Sequence, residues 1–471
     1  MNIVFIAPEC FPFAKVGSLA DFVAMLSKDI AQEGHNIKVF IPRYGCIDPS
    51  INHIERIPSD FKITINNSQI LISVYKGILP DSFVSIYFIE SQNNFSNSKE
   101  IYLSDLADDE RFGFFCLSTL EIISKLNIDP DIVHLFNSRT AQIVSLLKSK
   151  NIEYTGLNKT GILFTINNSS SVKGELLAKT KSAINNSDFI TATSEVYAEE
   201  LIRDSYKDGF SETLVQKKGQ FYGINSSLDE TIYNPEIDKD IAQPYSKNYF
   251  SAGKRKCKED LLELIEFESN SQLPLFGIVT RLSTDKGSNV LVNALPQIAH
   301  LNVLLVLLCK GDSSYEMELN KLASKYKNIK VSTAFNHILS KKIYAGSDFF
   351  ICPSEQNSAG ESVLAAMKYG AVPIAFNAGA IKQIIKDIYI NTEGNGITYN
   401  ESTKEDLFEA TNRALQLYKN KEKWTLLIKN AMNFDSKEFA TAKKYMKCYE
   451  HILEKRTSTS VKPELPANLY Q

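Results

Sequence analysis

Residues 2–42 read NIVFIAPECFPFAKVGSLADFVAMLSKDIAQEGHNIKVFIP. A short β-branched run, NIVFIAP (2–8), gives way to an amphipathic helical pattern, LADFVAMLSKDIAQEG (19–34), and then to a second run, NIKVFIP (36–42). Runs this short, bounded by proline, glycine or asparagine and joined through a helix, make a βαβ unit around a buried parallel sheet. DIVHLF (131–136) and GILFTI (161–166) continue the rhythm. It restarts at LPLFGIVTR (273–281) and runs through NVLLVLLC (302–309), KVST (330–333), DFFICPS (348–354) and AVPIAF (371–376).

The chain has 471 residues, too many for one ordinary core, and two domains of roughly 200 residues each are expected. The fold class is α/β, with two doubly wound domains in succession: residues 1–240 and 255–440. Between them, ETIYNPEIDKDIAQPYSKNYFSAGK (about 230–255) has two prolines and little apolar periodicity, and reads as a linker. Open parallel sheets bind ligands beyond the carboxyl ends of their strands, so a cleft between two facing sheets is the expected ligand site. The tail, 457–471, carries two prolines and no periodicity and is expected to be mobile.

Hydrophobic content of 44% and charged content of 23% exclude wholesale disorder. A formal charge of −3, from 52 basic and 55 acidic residues spread along the chain, gives no reason to expect a nucleic-acid or membrane partner. Any anionic ligand must be met locally. The seven cysteines are scattered and form no C-x-x-C pair, so reduced thiols are expected. The amino terminus has no basic leader, Glu9 breaks its apolar run, and nothing reaches the ~18 apolar residues of a membrane span. A soluble, cytoplasmic protein is the expectation. The six histidines lack metal-ligand spacing, so no metal site is expected. His134, at a strand end, reads as a partly buried strand cap or a lining residue.

Three turns read as candidate anion sites. In the first, Gly17 precedes a helix start, where backbone N–H groups suit a diphosphate and Lys15 adds a mobile charge; no G-x-G-x-x-G is present, which weighs against a dinucleotide. In GIVTRLSTDKGSNVLVNAL, Arg281 ends a strand and Lys286 follows just before a glycine and a helix, converging where a leaving diphosphate is stabilised; a solvated basic loop is the alternative. In the third region Gly360 opens a helix with Glu361 in its first turn, a dipole-complementing position, and Ala378-Gly379-Ala380 fits either a phosphate cradle or a tight turn.

Taken together, KVGSLAD, SDFITATSEVYAEEL, IYNPE, PLFGIVTRLSTDKG, KKIYAGSDFFICPS, KYGAVPI and AKKYMKCY resemble, in order and over nearly the whole chain, the glycogen and starch synthase family. These are retaining glucosyltransferases that move glucose from ADP-glucose to the end of an α-1,4-glucan. The resemblance implies a GT-B fold of two Rossmann-like domains facing a cleft, a carboxy-terminal helix (441–456) returning to the first domain, a nucleotide-sugar or ADP ligand, an α-glucan partner, and no cofactor or metal.

Carried over by residue, the family's K-x-G-G-L-[AG]-D loop falls on Lys15, Gly17, Leu19 and Asp21, with Ser18 for the second glycine, and the diphosphate clamp falls on Arg281 and Lys286. The family's Glu-Pro-Cys-Gly is Asn357-Ser358-Ala359-Gly360, so Asn357 stands for the glutamate expected against the donor sugar. Asn167 stands for the sugar-contacting histidine. His-Ala-His-Asp-Trp-His appears as His134-Leu135-Phe136-Asn137-Ser138-Arg139, and Thr-Gly-Gly as Ala378-Gly379-Ala380. The stretch from Asn168 to the helix before Ser187 is roughly thirty residues shorter than the family pattern, and such loops are often functional. Replacing a charged hydrogen-bond acceptor by a neutral amide forfeits roughly 1.5 to 3 kcal/mol, and groups acting as a unit are lost non-additively. Weak or lost synthase activity is therefore the leading expectation, although Glu355 or Glu361 could substitute for Asn357 in a shifted register. The rival readings are an active transferase with altered donor or acceptor, and a non-catalytic glucan-binding partner of another glycogen synthase.

Overall fold

A computed structural model describes residues 1–65, 68–103, 105–149, 156–170, 172–267, 272–334 and 336–457. The tail expected beyond residue 457 lies outside the described residues. The chain divides into two compact units: one holds Met1–Asn225 and the closing segment from Phe439, the other Ser226–Glu438.

In the first unit the strands are β1 (Asn2–Ile6), β2 (Asn36–Pro42), β3 (Glu55–Arg56), β4 (Phe61–Ile65), β5 (Ser68–Ile78), β6 (Ser85–Glu90), β7 (Ile132–Phe136), β8 (Gly161–Ile166), β9 (Phe189–Ala192) and β10 (Phe221–Gly223). They form one sheet in the order β10-β9-β8-β7-β1-β2-β6-β5-β3, with β4 pairing β5. From β10 to β6 every pair is parallel; β3, β4 and β6 each pair antiparallel with β5. The strand order reverses at β1, which lies between β2 and β7, and such a switch point opens a crevice at the carboxyl ends of its strands. The helix expected over 19–34 runs Ser18–Gln32 and buries Leu19, Phe22, Val23, Leu26 and Ile30 at helical spacing.

The helix Thr441–Thr457 belongs to this unit, burying Tyr445, Met446, Cys448, Tyr449 and Ile452 on one face. Its polar anchors are as specific as its apolar ones. Nδ1 of His134 lies 2.7 Å from the Tyr449 hydroxyl and Nε2 lies 2.6 Å from Thr165 Oγ1. Thr165 in turn meets Thr191 at 2.6 Å, and Thr191 meets the Tyr445 hydroxyl at 3.2 Å. His134 is wholly buried, so it neither caps its strand at the surface nor lines an open site; burial holds its pKa well below the usual histidine range.

The second unit carries β11 (Leu275–Leu282), β12 (Leu304–Gly311), β13 (Ile329–Ser332), β14 (Phe349–Cys352), β15 (Val372–Phe376) and β16 (Ile397–Tyr399), all parallel in the order β13-β12-β11-β14-β15-β16. Here the order reverses at β11. The stretch read as a linker is pinned to this unit instead: Lys341 reaches Asp238 at 3.2 Å and Asp240 at 2.9 Å, and the Tyr369 hydroxyl donates to Asp238. From Phe250 it becomes a helix, Phe250–Leu264, whose buried Lys254 donates to the carbonyls of Ala345, Ser347 and Tyr369 at 3.0, 2.9 and 2.9 Å. Paired charges and turn residues in a polar sequence thus read as a connection while serving as packing.

Candidate functional site

Both candidate regions sit at switch points. In the first unit, β1 ends at Ile6 and the helix does not open until Ser18. Within that loop Glu9 is buried. Its Oε2 accepts the backbone N–H of Val16 at 2.6 Å and of Gly17 at 3.1 Å, and its Oε1 accepts the Tyr102 hydroxyl at 2.5 Å. A buried carboxylate needs such donors. The turn amides expected to receive a diphosphate are therefore given to a side chain of the same chain. Lys15 closes on Asp21 at 2.5 Å, so its charge is paired. Gly17 has an extended backbone (φ −134°), and a Cβ there would meet no described atom within 4 Å, so neither conformation nor packing demands glycine.

At the end of β7, Asn137 has φ 72° and ψ 154°, a region that only glycine enters without strain. Its Oδ1 accepts the Arg139 N–H at 3.1 Å and its carbonyl accepts the Thr140 hydroxyl at 3.0 Å. Arg139 turns into the helix Asp105–Lys125, 3.3 Å from Asp108 and 3.1 Å from Asp109, while Arg111 donates to Asp108 at 2.7 Å. At the end of β8, Asn167 is buried, and its Oδ1 has no hydrogen-bond partner among the described residues. Asn168 folds into a turn, accepting the Ser170 N–H at 2.9 Å and hydroxyl at 2.8 Å.

In the second unit, Lys286 ends a short turn, Thr284–Lys286, after β11 and donates to the Gln356 carbonyl at 2.9 Å. Burial holds its pKa below the usual lysine range, with Arg281 adding to that shift and Asp285 opposing it. The two cations do not stand alone. Asp285 Oδ2 lies 3.8 Å from Arg281 and 4.0 Å from Lys286, and its Oδ1 accepts the Ser283 hydroxyl at 2.6 Å. Gly287 (φ +67°) is forced, since a Cβ there would stand 2.0 Å from the Pro353 carbonyl oxygen.

Asn357 is spent on the loop. Its Oδ1 accepts the Gly360 N–H at 2.9 Å, its Nδ2 donates to Cys352 Sγ at 3.3 Å, and its carbonyl accepts the Ala380 N–H at 2.9 Å. Gly379 (φ +56°) completes the contact: a Cβ would lie 2.1 Å from the Asn357 carbonyl oxygen. Glu355 accepts the Ser402 hydroxyl at 2.5 Å, and Glu361 opens the helix Glu361–Lys368. Arg281, Lys286, Asn357, Gly360 and Gly379 thus lie at or after the carboxyl ends of the neighbouring strands β11, β14 and β15, and Lys15, Gly17 and Asn167 lie on carboxyl-end loops of the first sheet, with Asp21 in the first turn of the helix Ser18–Gln32.

Sequence reading missed Asp285, Glu9, Tyr102 and the strained Asn137. Asp285 was visible between Arg281 and Lys286, and Glu9 was noted only for interrupting an apolar run. Nothing local marks Tyr102, 93 residues from its partner. Among the described residues, no group of three or more His, Cys, Asp or Glu could hold a metal ion, and no helix is long and apolar enough to cross a membrane.

Two α/β units, each built on a mainly parallel sheet whose strand order reverses once, have the architecture of glycosyltransferases of the GT-B type. The starch synthase catalytic domain model matches residues 2–216 and the glycosyl transferases group 1 model residues 263–432. Glycogen synthase of Geotalea daltonii is 31% identical, with 97% of this chain and 100% of that protein covered; that of Alkaliphilus metalliredigens is 30% identical over 96% and 100%. The catalytic domain of starch synthase IV from Arabidopsis thaliana, bound to ADP and acarbose, superposes with a TM-score of 0.88 at 25% identity, covering 96% of this chain and 99% of that one. Sucrose-phosphate synthase from Thermosynechococcus elongatus shares the fold at a TM-score of 0.65 and 15% identity, covering 96% and 99%. This chain belongs to the glycogen and starch synthase family.

Proposed function

We propose that the chain binds ADP or ADP-glucose and transfers glucose to an α-glucan slowly or not at all. The observation that carries this reading is the position of Asn357, whose amide is consumed by Cys352 and Gly360 where the family resemblance expects a glutamate against the donor sugar. A neutral amide bound into its own loop supplies no charge to a reacting sugar, and preorganised charge is usually the largest catalytic term. Arg139 supports the same reading, because the last residue of the family's His-Ala-His-Asp-Trp-His segment is here a cation held by Asp108 and Asp109. The nucleotide side is proposed to persist through Arg281, Lys286, Gly360 and Gly379 in the second unit and through Lys15, Gly17 and Asp21 in the first. The starch synthase IV structure bound to ADP supports a nucleotide ligand, and its acarbose a glucan.

The experiment is incorporation of labelled glucose from ADP-glucose and from UDP-glucose into glycogen beside a true synthase. Incorporation at the true synthase's rate overturns the proposal. Asn357→Glu and Asn167→His, singly and together, extend the test: neither single change is expected to restore a synthase rate, since a group regained beside missing partners cannot complete the site.

A second reading, an active transferase with altered donor or acceptor, is favoured by Asn167. Its buried Oδ1, without a partner among the described residues, costs about 1 to 3 kcal/mol unless something donates to it, and a sugar hydroxyl is such a donor. A screen of nucleotide sugars and acceptors for product distinguishes this reading. Co-sedimentation with glycogen, with and without an active synthase, tests the remaining one, a glucan-binding partner.

A further inference from the structure

Besides the Cys10–Ala14 backbone pairing and the Lys15–Asp21 ion pair, the loop carrying Lys15 is held by the buried Glu9 carboxylate, which is tied to a second charge cluster in the same unit. Glu9 takes two successive backbone N–H groups, Val16 and Gly17, on one oxygen and the Tyr102 hydroxyl on the other. Tyr102 sits in a segment that is itself fixed on both sides: Arg111 donates to the Ile101 carbonyl, and Asp108 accepts the Leu103 N–H at 3.1 Å. Asp108, which Arg111 pairs with, is also one of the two carboxylates beside Arg139, behind the strained Asn137. Ion pairs, hydrogen bonds and the backbone of residues 101–103 therefore link the end of β7, through the helix Asp105–Lys125, to the loop after β1.

We propose that Glu9 is the positioning residue of the Lys15 loop. Two amide donors converging on one buried carboxylate fix the direction in which residues 15–17 leave the turn, and so the backbone from which Lys15 reaches Asp21. A charged acceptor does this more firmly than a neutral one, since charge-assisted hydrogen bonds are about twice as strong. Tyr102 fixes the carboxylate in turn, so that the body of the unit sets the loop together with the loop's own local contacts. The carboxylate also occupies the amide pair that an incoming phosphate would otherwise take, so the charge this loop offers a nucleotide is that of Lys15, shared with Asp21. This assignment rests on the proposal that the Lys15 loop contacts ADP.

The test is a double-mutant cycle on ADP affinity, measured by calorimetry with wild type, Glu9→Gln, Lys15→Ala and the double variant, together with amide hydrogen exchange over residues 10–20. Glu9→Gln is expected to weaken ADP by about tenfold and to have almost no effect in the Lys15→Ala background, because it acts through that lysine. Exchange at Val16 and Gly17 is expected to quicken by about tenfold or more, with the rest of the sheet unchanged. An equal loss of affinity in both backgrounds overturns the proposal, since a general effect on folding adds to Lys15→Ala rather than vanishing. Should wild type bind no ADP, the nucleotide reading fails by itself, and exchange decides the positioning role: quickening confined to the loop sustains it, unchanged protection sinks it. Tyr102→Phe removes one hydrogen bond without an internal charge change and carries the same comparison if Glu9→Gln does not fold.

Discussion

The Tyr449 hydroxyl lies 2.7 Å from Nδ1 of His134, joining the closing helix to the centre of the first sheet across 315 residues of sequence. Both side chains are wholly buried, and the other ring nitrogen is used by Thr165 at 2.6 Å. Removing one partner leaves a buried nitrogen or oxygen unsatisfied, which costs about 1 to 3 kcal/mol. Tyr449→Phe is therefore expected to lower the stability of the first unit by that amount. Trp424, the sole tryptophan, packs on Phe349 in the second unit, 4.6 Å between ring centres. Its fluorescence should stay unchanged while hydrogen exchange quickens over residues 441–457; a shift of the tryptophan transition instead contradicts the assignment of this helix to the first unit.

The same histidine gives a pH dependence. Burial depresses its pKa well below the ordinary value, while in the unfolded chain it titrates at about 6.5. The aromatic and polar groups around it are Phe5, Phe136, Thr165, Tyr445 and Tyr449, with no carboxylate among these neighbours to hold a proton on the ring. Below about pH 6.5 the unfolded state takes up a proton that the folded state refuses, so stability falls as pH falls, and is fully present above it. Urea midpoints between pH 5 and pH 8 should show this slope in wild type and a shallower one in His134→Gln. Equal slopes would show that other groups carry the acid sensitivity.

Much of this architecture was legible because parallel strands buried on both faces write themselves as short apolar runs. The expected DFFICPS appears as Phe349–Cys352 and AVPIAF as Val372–Phe376, with only the ends moved. What escaped was long-range polar pairing. Lys341 with Asp238 and Asp240, or Glu9 with Tyr102, involve residues whose sequence neighbourhoods look like solvated loops. The candidate site was legible as positions and not as states: Arg281 and Lys286 were found as cations, but their sharing of Asp285 depends on a turn whose geometry the spacing alone does not set.

Two glycines with the same expected role differ in structure, and the difference is testable. At Gly379 a methyl group would meet the Asn357 carbonyl oxygen at 2.1 Å on a backbone with φ +56°, so Gly379→Ala is expected to destabilise the second unit by about 2 kcal/mol or more. Gly17 is extended, with open space around its missing Cβ among the described residues. Gly17→Ala should leave the melting temperature within about a degree, a small shift for a surface change. If it nonetheless weakens ADP, the space beside Gly17 is kept for the ligand; unchanged affinity removes Gly17 from the binding residues.

The strongest test of the nucleotide reading is the sign of a charge change at Asp285. Its carboxylate stands 3.8 Å from Arg281 and 4.0 Å from Lys286, so both cations already have an internal counter-ion, and a diphosphate must compete with it. Arg281→Ala removes a charged donor and is expected to weaken ADP by about 1 to 3 kcal/mol. Lys286→Ala should weaken it comparably and also cost stability, because the Gln356 carbonyl loses its 2.9 Å donor. Asp285→Asn acts in the opposite direction: it keeps the shape of the turn and the acceptor for Ser283, removes the competing negative charge, and should tighten ADP by about 1 kcal/mol at low salt, less as salt is raised. A general loosening of the turn would weaken binding in all three variants, whereas a real anion clamp gives two losses and one gain. Calorimetry on the three proteins at two ionic strengths therefore separates a diphosphate site from a basic loop that merely pairs with its own aspartate, and equal affinity for wild type and the Arg281→Ala, Lys286→Ala double variant would leave only the latter.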